Sequence, residues 1–286
     1  WIPKCNPIRE YFEKLPKWDG QDYILKLASY VPTYEKEAFE YHFNKWLVRT
    51  IKCALEVHYF NKQAFVLSHQ GQNSGKSTWC RFLCPPELAE YMAEDISNDK
   101  DARIQLCRNF LYNLDELAVL SKKDVNALKS FFSKTFINER LPYDRKNTTL
   151  PRICSFVGST NMASFLNDET GSVRWLCFEL NGKIEFGYSK EIDINRVWSQ
   201  AYYLAYNDPN FNPELSIKDI QENRVQLSKD KAPQTTSVRL PGAAELYRYA
   251  LGTGTVEKVK LHLPGYLREA ERPTSGSYLK VGYINN

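Results

Sequence analysis

Histidine and methionine are scarce in this chain of 286 residues, which has four of the first and two of the second. The seven cysteines are odd in number and scattered, and no Cys/His cluster has the spacing of zinc ligands. This favours reduced cytosolic thiols in a protein core over a zinc site. No apolar run approaches the roughly 18 residues of a membrane span. We therefore expect a cytoplasmic protein without a membrane partner.

The chain also has little excess of either charge, because the formal net charge is only +4. Its distribution is uneven. Residues 121–152 hold eight basic and three acidic side chains, and residues 238–286 hold seven and four. The rest of the chain is therefore acidic. Two basic segments on an acidic body indicate a polyanionic partner at particular surfaces.

The apolar pattern predicts four segments. Residues 1–62 read as an N-terminal helical domain with an aromatic stripe at three-four spacing that suits core packing. Residues 63–187 alternate strands and helices, which predicts an α/β core with a mostly parallel sheet. Residues 188–230 read as a helical extension of that core. Residues 238–286 read as a small basic α+β module, in which a helix before a hairpin suits a winged-helix-like unit. The predicted strands are Ala64–Ser68, Phe110–Leu114, Ile153–Gly158 and Arg174–Leu180.

A glycine-containing loop between the first strand and a helix is the most informative motif. Its residues are Gly71, Gln72, Asn73, Ser74, Gly75, Lys76, Ser77 and Thr78. Strand, loop and helix in this order are the context of a phosphate-binding loop, in which backbone N–H groups face a triphosphate. Lys76 would reach the β- and γ-phosphates of ATP, and Ser77 would ligate Mg²⁺. The first glycine of the full pattern falls on Gln70, so a plain surface turn remains the alternative.

A second motif ends the next strand with two acidic residues. Asp115 and Glu116 follow Phe110–Leu114, 39 residues after Lys76. A P-loop enzyme needs such a pair, because Asp115 would hold the Mg²⁺ water shell and Glu116 would deprotonate the attacking water. The alternative is a helix cap. The order of the two motifs in an α/β pattern favours the catalytic interpretation.

Two further positions complete the predicted site. Asn161 ends the third strand, where its amide would lie between the phosphate loop and the acidic pair and hold the lytic water or the γ-phosphate. The alternative is an ordinary turn. Arg174 precedes the fourth strand and would project into a neighbouring subunit's site as an arginine finger. The alternative for Arg174 is a salt bridge to Asp168 or Glu169.

Several segments in order resemble the virulence-associated protein E family of phage and mobile-element proteins, which is similar to superfamily 3 helicases. They are Lys17-Trp18-Asp19-Gly20, Gly75-Lys76-Ser77, Leu114-Asp115-Glu116-Leu117, Leu128-Lys129-Ser130-Phe131-Phe132-Ser133, Leu141-Pro142-Tyr143, Pro151-Arg152, Gly158-Ser159-Thr160-Asn161 and Asp168-Glu169-Thr170-Gly171. The resemblance covers roughly residues 5–230. This sequence departs from the family at Gln70, which replaces a loop glycine, and at Val173, which stands where an arginine usually precedes Arg174.

The resemblance implies a hexameric ring that hydrolyses ATP and moves on single-stranded DNA or at a DNA fork. It also implies that the basic stretch between the second and third motifs faces the channel of the ring. Lys and Arg contacts to phosphates give affinity without sequence preference, and Tyr143 would stack on a base or wedge a duplex. For the lysines a solvated helix face is the alternative. The predicted DNA-binding residues are Lys129, Lys134, Arg140, Tyr143, Arg145, Lys146 and Arg152.

Three functions are compatible with this sequence. The first is an ATP-driven DNA helicase for replication of a phage or mobile element. The second is an ATP-controlled DNA-binding switch, for origin binding or defence, without processive unwinding. The imperfect phosphate loop and the basic C-terminal module are compatible with this switch. The third is a small-molecule kinase, which is disfavoured because a kinase does not need the basic stretch.

Overall fold

The structure is a computed structural model that describes residues 6–94, 100–115, 117, 122–141, 144–161, 174–216 and 218–219. Local sequence signals explain where several helices begin. The first helix has Pro7 in its first turn, and the Asn6 side chain accepts a hydrogen bond from the backbone N–H of Arg9. The second helix starts in the same way, with the Asp22 carboxylate accepting from the N–H of Leu25.

The helices of the described residues alternate with strands in the middle of the chain. They are α1 (Pro7–Lys14), α2 (Tyr23–Ala28), α3 (Lys36–Leu55), α4 (Lys76–Phe82), α5 (Lys100–Gln105), α6 (Lys122–Ser133), α7 (Tyr188–Glu191) and α8 (Ile194–Tyr206), with a 3-10 helix at Pro86–Tyr91. The strands are β1 (Ala64–Ser68), β2 (Met92–Ala93), β3 (Leu111–Leu114), β4 (Phe136–Glu139), β5 (Thr148–Pro151), β6 (Ser155–Thr160) and β7 (Trp175–Glu179).

Five of these strands form one sheet in the order β2-β3-β6-β1-β7, and every neighbouring pair is parallel. The remaining two, β4 and β5, form an antiparallel hairpin. The predicted α/β class with a mostly parallel sheet is therefore confirmed. Because β6 lies between β1 and β3 and is parallel to both, the carboxyl ends of all three strands meet at one edge of the sheet.

The sheet is covered on both faces, and β1 shows how the sequence arranges this. Its side chains alternate between two clusters: Phe65 and Leu67 belong to one, and Ala64 and Val66 belong to the other. The first cluster also takes in residues of α1, α2, α3, α4 and α8, and the second takes in residues of α6. Burial on both faces explains why β1 reads as a continuous apolar run.

The predicted N-terminal helical domain shares its core with the sheet. Phe39 of α3 lies 5.5 Å from the Phe65 ring of β1 and 5.3 Å from the Phe178 ring of β7, measured between ring centroids. Trp198 of α8 packs against Phe110 at 5.1 Å. The predicted boundary near residue 62 thus separates helix from sheet, but it does not separate two cores.

One element differs from its prediction. The apolar spacing after Ser121 predicts a helix with Phe136 on its inner side, but α6 ends at Ser133 and Phe136 begins β4. Phe136 pairs with Pro151 across the hairpin and is 38% exposed. Pairing with β5 has replaced the helical continuation that the apolar spacing suggested.

The predicted module at residues 238–286 lies outside the described residues, as does Ser121. The polar, proline-containing stretch at residues 229–237, which the sequence predicts to be a linker, lies outside them too. Among the helices that are described, none combines the length and apolar character needed to cross a membrane.

Candidate functional site

The carboxyl edge of the sheet gathers the residues that the motifs predicted. The strand register places Leu67 level with Ser159 and Leu114 level with Gly158. Asp115, the residue after Leu114, is therefore level with Ser159. Because β6 lies between the other two strands, its end at Thr160 and the following Asn161 stand between the loop after β1 and Asp115.

The loop from β1 to α4 is held in a defined shape by its neighbours. The N–H of Gly71 donates to Nδ1 of His69 at 3.0 Å. Gly75, the residue before α4, has a φ of +87°, which a residue with a side chain adopts only with strain. The carbonyl of Ser74 accepts from the N–H of Ile184 at 2.9 Å, so the segment after β7 supports the loop.

Lys76 points into the loop and is only 6% exposed. Its ammonium donates to Oγ of Ser74 at 2.9 Å, to Oδ1 of Asn161 at 3.1 Å and to the carbonyl of His69 at 3.3 Å. Burial lowers the pKa of Lys76 below its usual value, and the negative charge of Asp115 opposes this shift. A cation surrounded by neutral oxygens is set to bind an anion that enters the loop.

One carboxylate oxygen of Asp115 links side chains from two other elements of the fold. Its Oδ1 accepts from Oγ of Ser77 at 2.6 Å and from Oγ of Ser159 at 2.5 Å. Ser77 is the second residue of α4 and Ser159 is near the end of β6. Hydroxyl and carboxylate oxygens are the hard ligands that Mg²⁺ prefers, so this group fits a magnesium ion.

The outer oxygen of Asp115 has a different partner, which the sequence reasoning missed. Arg81 donates from a terminal guanidinium nitrogen to Oδ2 of Asp115 at 3.1 Å and from Nε to Glu94 at 2.5 Å. The hydrogen bond with Arg81 lowers the pKa of Glu94, with a smaller contribution from Asn113. A signal was present, because Ser77 and Arg81 are four residues apart and share one face of α4.

The loop, Asp115 and the end of β6 surround one cavity of about 320 Å³. Its walls are polar and come from the loop and from the ends of β3 and β6. The lining residues are Gln72, Asn73, Ser74, Gly75, Lys76, Ser77, Thr78, Asp115, Ser159, Thr160 and Asn161. Apart from Gly71, which borders Lys76 through its carbonyl at 3.5 Å, every predicted loop residue lines this cavity.

Arg174 lies at the other end of the sheet. Its carbonyl accepts from the N–H of Ala64, the first residue of β1, whereas the loop follows the last residue of that strand. Nε of Arg174 donates to Oγ of Ser133 at 3.0 Å. About one strand length, or roughly 15 Å, therefore separates Arg174 from the cavity of its own chain.

The basic stretch contains an exposed turn. Arg140, Arg145 and Lys146 lie between β4 and β5 and are exposed to solvent, while Lys129 and Lys134 are partly exposed. The ammonium of Lys134 lies 5.7 Å from the Phe131 ring centroid. Three cations on one hairpin turn form a surface that suits a phosphate backbone.

Arg152 is a correction to the predicted DNA contacts. It is 1% exposed, and its guanidinium donates to the carbonyls of Lys134 at 2.8 Å, Asn61 at 2.9 Å and Cys154 at 2.5 Å. All three guanidinium nitrogens donate to backbone carbonyls inside the protein, so the group cannot reach a nucleic acid in this structure. Charge counting along the sequence could not separate it from the exposed arginines.

Some predicted residues lie outside the described part of the chain. They are Glu116, Tyr143, Asp168, Glu169 and Val173. The roles assigned to Glu116 and Tyr143 stay predictions.

The fold and the cavity define an α/β protein with a lysine-bearing loop beside a carboxylate at the carboxyl edge of a parallel sheet. Residues 12–232 match the virulence-associated protein E-like domain, and the chain belongs to this family. The resemblance drawn from the motifs is thereby confirmed. No curated protein matches the chain in sequence.

Solved structures with a similar fold include the apo structure of the NrS-1 C-terminal region. It has a TM-score of 0.53 and 19% sequence identity, and the match covers 75% of this chain and 53% of that one. An A form of the same apo region has a TM-score of 0.50 with the same identity and coverage. This chain thus corresponds to about half the length of these neighbours, and at this identity the likeness shows the fold alone.

Proposed function

We propose that this chain is an ATP-hydrolysing DNA motor, a helicase or translocase of superfamily 3 type, that acts in replication of a phage or mobile element. The observation that carries the proposal is the cavity that brings Lys76, Ser77, Asp115 and Asn161 together from three separate strands. A surface turn would not need a buried lysine, and a helix cap would not need two serine hydroxyls on one carboxylate oxygen.

The loop is proposed to act as a P-loop. Lys76 would move from the loop carbonyls to the β- and γ-phosphates, because a charged phosphate oxygen is a stronger acceptor than a carbonyl. Ser77 and Asp115 would hold Mg²⁺, which neutralises charge on the transferring phosphoryl group when it is bound. The 2.6 Å contact between their oxygens already orients both toward one point.

The remaining roles concern the attacking water and the γ-phosphate. Asn161, which contacts Lys76, would position the water or the γ-phosphate. Glu116 would take the proton. Arg174 cannot reach its own cavity from the opposite edge of the sheet, so its finger role requires a neighbouring subunit and supports the proposal of a ring, here a hexamer.

The exposed hairpin turn is the proposed DNA track. Arg140, Arg145 and Lys146 would contact phosphates without reading bases, as a motor that moves along any sequence requires. Single-stranded DNA or a fork is the proposed partner.

Steady-state ATP hydrolysis with and without single-stranded DNA tests the proposal, and Lys76→Ala is the control. We expect stimulation by DNA that disappears in the variant. DNA binding controlled by ATP without turnover would instead support the non-processive switch. The Arg81 contact to Oδ2 of Asp115 favours that second candidate, because it offsets part of the negative charge of the carboxylate that would hold Mg²⁺. A rate of ATP hydrolysis that is the same with and without DNA would contradict both the motor and the switch.

The track is tested by the salt dependence of DNA binding. In Arg145→Ala/Lys146→Ala we expect the slope of log K against log salt to fall by about 1.4, since each lost contact on a single strand removes about 0.7. The control is Lys14→Ala/Lys26→Ala, which removes two exposed lysines of α1 and α2. Equal slopes in the two double variants would overturn the track.

A further inference from the structure

A large aromatic ring lies exposed beside the phosphate loop. Phe186 is 54% exposed, although burying an apolar ring of this size is favourable. Single exposed apolar side chains are common, so exposure alone carries no meaning. The position of this ring is what makes it informative. A Cβ added to Gly75 would lie 3.5 Å from Cζ of Phe186, so the tip of the ring borders the loop.

The sheet order gives the cavity a direction. Asn161 and Asp115 follow β6 and β3, which lie on one side of β1, and these residues contact Lys76 and Ser77. Lys76 and Asp115 serve the terminal phosphates in the proposed function. We therefore take the other end of a bound triphosphate to lie on the side of β1 that faces β7. Phe186 lies in the segment that follows β7.

One face of α4 leads from the loop to this segment. Gly75, Thr78 and Phe82 are three and four residues apart, so they share that face. Thr78 lines the cavity and is exposed. The Phe82 ring lies 4.8 Å from the ring of Tyr188. Residues 186–188 thus border both ends of the face, and the Phe186 ring lies beside Gly75, which also lines the cavity.

The backbone that carries the ring is held in place before any ligand arrives. The carbonyl of Phe186 accepts from the backbone N–H of Ser189 at 3.1 Å and from its hydroxyl at 2.9 Å. Ile184, two residues earlier, is tied to the loop by its 2.9 Å hydrogen bond to Ser74. A fixed platform loses little freedom when it binds, which favours affinity.

We propose that Phe186 is the stacking platform for the base of the bound nucleotide. This inference rests on the proposed function, because it uses the phosphate loop as the anchor of the same ligand. A base stacks on an aromatic ring through its π-face, and such contacts are worth about 1–3 kcal/mol per base. The ligand class is a nucleoside di- or triphosphate, bound by its phosphates at Lys76 and by its base at Phe186.

The test compares ATP, ADP and inorganic tripolyphosphate, which has no base, by calorimetric titration in the presence of Mg²⁺. Phe186→Ala should weaken the binding of ATP and ADP by about 5- to 150-fold, as the loss of one stacked base predicts. It should leave tripolyphosphate unchanged. Phe186→Trp should keep the affinity for ATP, because a larger ring stacks as well.

Phe136→Ala is the matched control, since it removes a phenylalanine that is also partly exposed but lies on the β4–β5 hairpin. It should change none of the three affinities. Equal weakening of ATP and tripolyphosphate by Phe186→Ala would show that the ring only supports the loop, and would overturn the platform. Unchanged affinity for ATP would overturn it too.

The two proposals fail differently in this experiment. If tripolyphosphate binding is lost in Lys76→Ala while Phe186→Ala keeps its affinity for ATP, the phosphate loop is supported and the platform is overturned. A native chain that binds neither ATP nor tripolyphosphate removes both.

Discussion

At the scale of single residues, the same charge serves opposite purposes in different surroundings. Arg145 is exposed on a hairpin turn, whereas Arg152, seven residues later, is buried among carbonyl groups. Its guanidinium also lies 5.9 Å from the Phe60 ring centroid and 5.7 Å from that of Phe156. The five N–H donors of an arginine are spread over a planar fork and reach acceptors on different sides, which the three donors on the compact ammonium of a lysine cannot do.

Replacing Arg152 by lysine should therefore destabilise the protein. We expect a loss of about 2–4 kcal/mol in the free energy of unfolding, because at least two buried carbonyls would lose their donor. Urea denaturation measures this, with the exposed Arg145→Lys as the control, for which a change below about 0.5 kcal/mol is expected. An unchanged stability together with weaker DNA binding would restore the original assignment of Arg152.

His42 makes the stability depend on pH. Burial lowers its pKa to about 4, with Arg49 and Lys45 acting in the same direction and Asp219 opposing them. The unfolded chain takes up the proton near pH 6.5. The stabilising contribution is therefore complete above about pH 6.5 and is lost as the pH falls toward 4.

Replacing His42 by phenylalanine should flatten this dependence. The ring packs against Tyr41 and Phe178, which another aromatic ring can also do. We expect the variant to lose as much as about 3 kcal/mol less than the native chain between pH 7 and pH 4. Thermal melts across this range would show the difference, and parallel curves for the two proteins would argue that His42 takes up its proton as readily in the folded chain as in the unfolded one.

At the scale of elements, the close approach of β3 and β6 aligns the site. A Cβ added to Gly158 would lie 2.6 Å from the carbonyl oxygen of Leu114, the residue before Asp115. No side chain fits there unless the strands separate. Any separation would move Asp115 away from Ser159, whose hydroxyl it holds at 2.5 Å.

Gly158→Ala should consequently lower both stability and nucleotide affinity. The expected cost is about 1–3 kcal/mol, as for other overpacked cores. Gly182→Ala is the matched control, since its added Cβ would meet only Pro32, at 3.7 Å, which is ordinary contact. Melting temperatures and ATP titrations measure both effects. Equal behaviour of the two variants would mean that the sheet can adjust at β6.

The sequence predicted these elements unevenly. β1 was predicted with its observed bounds, because five buried residues between polar ones leave little choice. β6 was predicted from Ile153 but begins at Ser155, after Ile153 and Cys154 have both donated to the carbonyl of Leu106. That contact is made by α5 and its following turn, which are distant in sequence. Local pattern cannot report it.

At the scale of the whole molecule, Arg174 and Lys76 lie at opposite edges of one sheet. If Arg174 completes a neighbour's site, two inactive variants should rescue one another. Mixed assemblies of Lys76→Ala and Arg174→Ala should hydrolyse more ATP than the sum of the separate proteins, because some interfaces combine an intact Lys76 with an intact Arg174.

A mixture of Lys76→Ala and Asp115→Ala is the control for this experiment. Both residues line the same cavity of one chain, so no interface becomes intact and no recovery is expected. Absence of recovery in the first mixture as well would show that Arg174 does not act across subunits, and would assign it a structural role within its own chain, as in its contact to Ser133.

The sequence by itself determined the α/β class, the family and the loop that carries Lys76, because these depend on short apolar runs and on residues close together in the chain. Asp115 and Asn161 were also found, since each ends a strand that local pattern reveals. Only the tertiary structure decided that Arg152 is internal, that Arg81 pairs with Asp115 and that Phe186 borders the loop. These facts depend on which strands become neighbours, and the sheet order is set by packing between segments far apart in sequence.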